Sequence, residues 1–304
     1  MEDLHDLAIR LIAEYLRGKN YMLNNLMRLN KRFYSLRHIF IEQLMLNEHK
    51  TRYVYKYKPD GWNKVYSLTM NYPDYDNDSL VQLGALRSLS LASDSVTDLS
   101  PLHNLERLDI LFRIGTDDFA AVPKLKYLSL KNCVKLYALS NVSHIHSIEI
   151  HHCAFLNTVT TFAGVHTVSL TICNQIKDFS PLASAQWLRI NNCRHFCNES
   201  LVALRKVPCW SLYKCLRITD VSMLEDAQEV TLYYCNNILD YSPLGKVTRL
   251  NLHFSNITDV SSLGGVQFLD IFSCNQLRDI TALETVPNLT IQICRHLPNI
   301  TRKN

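Results

Sequence analysis

The chain has 304 residues, 47 % of them hydrophobic, with 32 Lys/Arg against 28 Asp/Glu and ten cysteines. Its apolar runs are far shorter than the roughly 20 residues a membrane-spanning helix needs, and its acidic first residues lack the basic start and apolar core of a secretory leader. Residues 1–58 hold 11 Lys/Arg against 6 Asp/Glu and the remainder 21 against 22, so the long near-neutral part has no nucleic-acid footprint; the chain is expected in the cytoplasm or nucleus, away from membranes.

Residues 1–48 show helical spacing. Leu4, Leu7, Leu11 and Ile12 with Tyr15-Leu16 form an apolar stripe that Gly18 ends. A second stripe, Leu23, Leu26 and Leu29, runs into Asn30-Lys31-Arg32-Phe33, and a third runs from Leu36 through Ile39, Phe40 and Leu44. Three short helices are expected. Residues 49–64, with alternating Tyr53, Tyr55 and Tyr57 before Pro59-Asp60-Gly61, read as a hairpin-like junction and cap.

From residue 65 to 304 one spacing recurs: apolar, two residues, Leu, one residue, Leu or Ile, two residues, Cys. Leu125-Leu128-Leu130-Cys133, Ile145-Ile148-Ile150-Cys153 and Val165-Val168-Leu170-Cys173 show it, as do Ala185-Leu188-Ile190-Cys193 and Val207-Trp210-Leu212-Cys215. Further copies start at Ala227, Val266 and Val286, and less regular ones at Val65, Leu86, Leu105 and Val247. About twelve copies of roughly twenty residues mean a solenoid of stacked units. Asp94 and Ser255 stand in the Cys place of two copies, and the third copy, Phe112 to Pro123, is irregular. The pattern resembles the leucine-rich repeat family. The resemblance implies an α/β solenoid with a parallel sheet on its concave side, the Leu pair inward and the residues between outward. Asp98-Leu99-Ser100-Pro101-Leu102, Asp178-Phe179-Ser180-Pro181-Leu182 and Asp240-Tyr241-Ser242-Pro243-Leu244 leave room for one 3₁₀ turn on the convex side, with Ser as N-cap and Pro first in the turn. That thin side is similar to internalin-type repeats. Glu199 to Arg205 has helical spacing instead and predicts a true short helix.

Helices directly before such repeats resemble an F-box. Leu4, Ile12 and Tyr15-Leu16 fall at places of that pattern, as do Leu23, Leu26, Leu29 and Asn30-Lys31-Arg32-Phe33; His5 stands where Pro is usual and Leu7 where an acidic residue is usual. The resemblance implies docking of a Skp-type adaptor through Leu4, Leu23 and Leu26, and hence the substrate-recognition subunit of a cullin–RING (SCF-type) ubiquitin ligase. The alternative is an interaction or scaffold protein whose N-terminal helices only cap the open end of the rod, as solenoids require.

Eight of the ten cysteines share one repeat position and are expected as buried, reduced thiols. Cys193, Cys197, His195 and Cys209 do not converge as zinc ligands on this reading, because Cys193 faces the core. His144, His146, His151 and His152 alternate in direction and read as a solvated patch. No phosphate loop or nucleophile–base pair stands out, so neither catalysis nor a cofactor is expected.

The outward strand positions carry the functional signal. Tyr213, Tyr233, His253 and Phe272 follow the second Leu or Ile of successive copies; Trp187 and Phe268 come one strand position earlier in neighbouring columns, and Tyr234 and Phe254 lie just beyond. With strands about 4.8 Å apart these rings form a contiguous ladder on the C-terminal half of the concave face. The N-terminal half carries small residues: Ser67, Thr69, Ser88, Ser90 and Ala92. Arg189, Glu229, Arg249 and Asp270 supply a polar rim. A protein partner on this face is expected, bound by the chain as a monomer within a complex, although cross-strand ring pairing also stabilises a sheet.

Overall fold

The computed structural model describes residues 44–46, 67–70, 76–81 and 83–302. The first two expected helices, with Leu4, Leu23 and Leu26, and the junction at 49–64 lie outside them. Contacts divide the chain into two units, 1–127 and 128–304.

In the first unit β1 (Leu44–Leu46), β2 (Ser67–Met70), β3 (Ser88–Ser93) and β4 (Arg107–Ile114) lie side by side in chain order, all parallel. The third helix expected through Leu44 is corrected at its end. Leu44 pairs with Leu68 and Leu46 with Met70, so pairing with an open sheet edge outweighs local helical spacing there. The irregular third copy shows its cause in β4. Its pairing with β3 slips between Leu91 and Ser93, and Gly115 lies so near the Val96 carbonyl that a Cβ would sit 2.1 Å from its oxygen.

The second unit holds β5 (Tyr127–Lys131), β6 (Ser147–His151), β7 (Thr167–Thr171), β8 (Trp187–Asn191), β9 (Cys209–Tyr213), β10 (Glu229–Tyr233), β11 (Arg249–His253), β12 (Phe268–Phe272), β13 (Asn288–Gln292) and β14 (Ile300–Arg302), again in chain order. From β6 to β13 every pair is parallel without a slip, and β14 closes the edge antiparallel to β13. Unbroken register puts like residues in columns. Ile148, Val168, Leu188, Trp210 and Val230 face one another in one column and Ile150, Leu170, Ile190, Leu212 and Leu232 in the next. All of these are buried, as are Leu128 and Leu130. One residue of slip would turn every one of them to water.

The residue directly after each of β5 to β13 carries a positive φ. Asn132, His152, Ile172, Asn192, Lys214, Tyr234, Phe254, Ser273 and Ile293 all have φ between 50° and 58°, and Phe112 of the irregular copy has 66°. The kink turns the chain off the sheet while its N–H still reaches the next strand's last carbonyl, as from His152 to Thr171 O at 2.8 Å and from Phe254 to Phe272 O at 2.9 Å. Asn tolerates this conformation; a β-branched residue is strained in it. Ile293 is 61 % exposed, so little packing offsets its strain. Ile293→Asn should therefore raise unfolding stability by about 1 kcal/mol, measured as a higher urea midpoint. An unchanged or lower midpoint would contradict the strain.

Single 3₁₀ turns lie opposite the strands, at Ser100–Leu102, Ser180–Ser184, Ser222–Leu224, Ser242–Lys246 and Thr281–Leu283. The expected Ser cap is corrected. The N-cap residues before Ser100, Ser180 and Ser242 are Leu99, Phe179 and Tyr241, whose side chains are buried, and Ser begins the turn. The aspartate one step earlier does the capping: Asp98, Asp178, Asp220, Asp240, Asp259 and Asp279 each accept the backbone N–H two residues on, at 2.8–2.9 Å. An Asx turn thus replaces a helix cap. Hydrogen bonds from Ser100 hold the Asp98 carboxyl below its usual range, and those from Ser242 and Thr281 do the same for Asp240 and Asp279. A depressed native pKa adds stability above the unfolded value near 3.8, and this is lost as pH falls through the native one. The helical expectation within Glu199–Arg205 holds: α1 (Asn198–Ala203) replaces the 3₁₀ turn there.

The repeat cysteines face inward, and all eight are buried. Their thiols reach carbonyls of the preceding copy, Cys215 to Ile190 O and Cys235 to Leu212 O at 3.4 Å, Cys274 to Leu252 O at 3.3 Å. They are short enough to fit the bend and turn a weak donor toward the backbone of the neighbouring copy. Where Ser255 replaces Cys, its hydroxyl lies 3.1 Å from the Cys274 thiol. Burial pushes the Cys274 thiol up, and burial with a nearby Glu229 raises Cys209. Only Cys197 and Cys209 are half-exposed. A brief treatment of native protein with iodoacetamide should label at most these two of the ten thiols, and denaturant should release the rest, as counted by mass spectrometry. Rapid native labelling of Cys153 or Cys173 would contradict the inward placement.

Candidate interaction surface

Along β8 to β12 the first, third and fifth residues are turned away from the core, giving three outward columns. The fifth-position column reads Asn191, Tyr213, Tyr233, His253, Phe272, the third Arg189, Ser211, Thr231, Asn251, Asp270, and the first Trp187, Cys209, Glu229, Arg249, Phe268. One side of the face is therefore aromatic, its middle is small and polar, and its other side is mixed.

The left-handed exit residues add a further row to the aromatic side. Tyr213 and Tyr233 stack with centroids 4.7 Å apart and planes 15° from parallel; Tyr234 and Phe254 stack beside them at 4.4 Å and 19°. An edge-on contact of Tyr233 with Tyr234 at 5.0 Å and a tilted one with Phe254 at 5.1 Å tie the two pairs, and Phe272 joins them edge-on to Phe254 at 5.4 Å. His253 bridges Tyr233 and Phe272 at 5.5 and 5.6 Å. The Lys214 ammonium sits 5.4 Å from the Tyr213 ring and 5.6 Å from the Tyr234 ring. Desolvation by these neighbours, followed by the phenols of Tyr234 and Tyr213, raises the Tyr233 hydroxyl above its ordinary value.

Tyr213, Tyr233, His253 and Phe272 are thus brought together as the sequence implies. Trp187 and Phe268 are not, which corrects the expected contiguity. Both begin their strands, four residues before the fifth-position column, which at about 3.3 Å per residue is roughly 13 Å away. There Arg249 lies over the Phe268 ring at 4.3 Å while pairing with Glu229 at 3.7 Å. Asp270 pairs with His253 at 3.1 Å, and Arg189 stands exposed in the middle column of β8. The histidine patch resolves into contacts of its own: His146 stacks on His166 at 4.3 Å and His151 pairs with Glu149 at 3.7 Å. Sequence spacing gave Tyr234 and Phe254 no anchoring role and passed over Lys214. Their place directly before the repeat Cys, or before Ser255 in its stead, was the available signal, since that position is the left-handed exit in copy after copy.

No protein-family profile and no curated protein matches this sequence. Solved structures do. An internalin (inlF) from Listeria monocytogenes is 22 % identical over 78 % of this chain and 75 % of its own, with a TM-score of 0.49. The leucine-rich repeat domain of the type III effector XopL is 15 % identical over 98 % of this chain and 97 % of its own, with a TM-score of 0.44. A leucine-rich repeat protein from Leptospira interrogans is 12 % identical over 82 % and 83 %, with a TM-score of 0.42. The description of the present chain stands on its own parallel strands, turns and buried columns. Its fold is a parallel-strand solenoid of leucine-rich repeats.

Proposed function

We propose that this chain is a non-catalytic interaction module that seats a protein partner on the aromatic side of the β9–β12 face. One observation carries the reading: six rings on four consecutive strands and their exits gather on an outward surface. None of them is needed by the buried columns, which Leu212, Leu232, Leu252 and Ile271 already fill. Large outward aromatic groups are characteristic of contact surfaces and hot spots. Affinity capture by the intact chain, run beside a Tyr233→Ala/Phe272→Ala variant shown to stay folded at the assay temperature, tests it. A partner held by both chains alike would overturn the assignment of this surface.

The F-box resemblance of Leu4, Leu23 and Leu26 supports a finer reading, in which the module is the substrate-recognition subunit of an SCF-type ligase. Binding of a purified Skp-type adaptor to the full chain, lost in Leu4→Asp/Leu23→Asp/Leu26→Asp, is the result this reading requires. Without such binding the interaction module stands alone.

A further inference from the structure

The proposed docking surface has a chemical polarity of its own. Its rings spend one face each on a neighbour: Tyr213 on Tyr233 and Tyr234 on Phe254 are stacked within 20° of parallel. Ring edges and hydroxyls are thereby turned toward a partner. Ring edges carry the positive end of the aromatic quadrupole, and a phenol is a ready donor.

The charges beside the rings point the same way. Each carboxylate that faces outward on β6 to β12 is already engaged, Glu149 with His151, Glu229 with Arg249 and Asp270 with His253. Beside the rings stand Arg189, exposed on β8, and Lys214, at the exit of β9, and neither pairs with a carboxylate of the described residues. They flank one ring. Asn191 is paired with Tyr213 and Arg189 with Ser211, which places Arg189 diagonally across from Tyr213 while Lys214 follows it directly. On this side of the face the carboxylates are used up and the cations are open.

We infer that the partner presents an acidic polypeptide segment whose apolar side chains lie against the ring edges and whose carboxylates meet Arg189, Lys214 and the tyrosine hydroxyls. This inference rests on the docking reading above and adds the class of ligand to it. Single-stranded nucleic acid fits less well, because bases stack on free aromatic faces and each ring of the two stacks has already given one face to its neighbour.

A displayed library of random 12-residue peptides, selected on the intact chain, tests the inference. The selected peptides should be rich in Asp and Glu beside apolar residues, and salt should weaken their binding. Arg189→Glu/Lys214→Glu should bind them about tenfold more weakly or worse and should itself select peptides rich in Lys and Arg. Peptides that need Tyr213 and Tyr233 yet carry no acidic excess, or that bind the charge-reversed chain equally well, would overturn the acidic assignment alone. Peptides indifferent to Tyr213→Ala/Tyr233→Ala would overturn the docking surface and the assignment with it. Oligo(dT) bound more tightly than any selected peptide would replace the acidic segment with a nucleic acid.

Discussion

Trp210→Ala is expected to lower the unfolding free energy by about 3–5 kcal/mol, more than any other single truncation in the second unit. Trp210 stands in register between Leu188 and Val230, where the other copies need only an aliphatic side chain. Its copy is larger, with 22 residues from Cys193 to Cys215 and α1 in place of a 3₁₀ turn. The indole fills that extra room. It lies 6.4 Å from Phe196, which meets Phe179 edge-on at 5.0 Å, and its Nε1–H donates to the Val207 carbonyl at 2.8 Å. Alanine would leave both a cavity and a buried carbonyl without its donor. Trp210→Leu should cost clearly less, because it refills part of the volume. Urea denaturation followed by far-ultraviolet circular dichroism measures both. A loss below about 1 kcal/mol for the alanine variant would mean that the unit does not fold around this column.

The columns were legible in the sequence because the constraint that makes them is local and repeated. Leu188 and Ile190 must point inward, a strand alternates with period two, and every copy states the rule again. The helix at Asn198 was legible for the same reason, since Glu199 to Arg205 breaks the turn pattern in favour of helical spacing. What escaped was set by backbone conformation and by distant pairing. Nothing in the residue types of Ile172, Tyr234 or Phe254 announces a left-handed φ; the sheet imposes it, because only that kink lets the chain leave the strand with its N–H bonded to the next copy. The Asp–Ser turns looked like Ser-capped helices since both use the same residues, and the difference lies in which oxygen meets which N–H. The separation of Trp187 and Phe268 from the tyrosines followed from register, which a column count fixes only once each strand's first residue is known. At Leu44 a local helical spacing yielded to a sheet edge supplied by residues 24 positions on.

Tyr213→Ala/Tyr233→Ala/Phe272→Ala is expected to abolish partner binding while the protein stays folded. An interface anchor of this kind is worth about 2 kcal/mol or more on truncation, so three losses take affinity down by well over tenfold. The folding side of the comparison is smaller. The three rings are half-exposed, the backbone pairing of β9, β10 and β12 does not depend on them, and each stacked or tilted pair contributes on the order of 0.5–1.5 kcal/mol. A fall of a few degrees in melting temperature is therefore expected, against a near-complete loss in a binding titration. Trp187→Ala/Phe268→Ala, at the far ends of their strands, should weaken binding less, and that ordering separates a patch built by Tyr234 and Phe254 from one spread over the whole face. Collapse of stability with binding retained would show that the rings exist to hold the sheet together, since stacked tyrosines in register could serve that end alone.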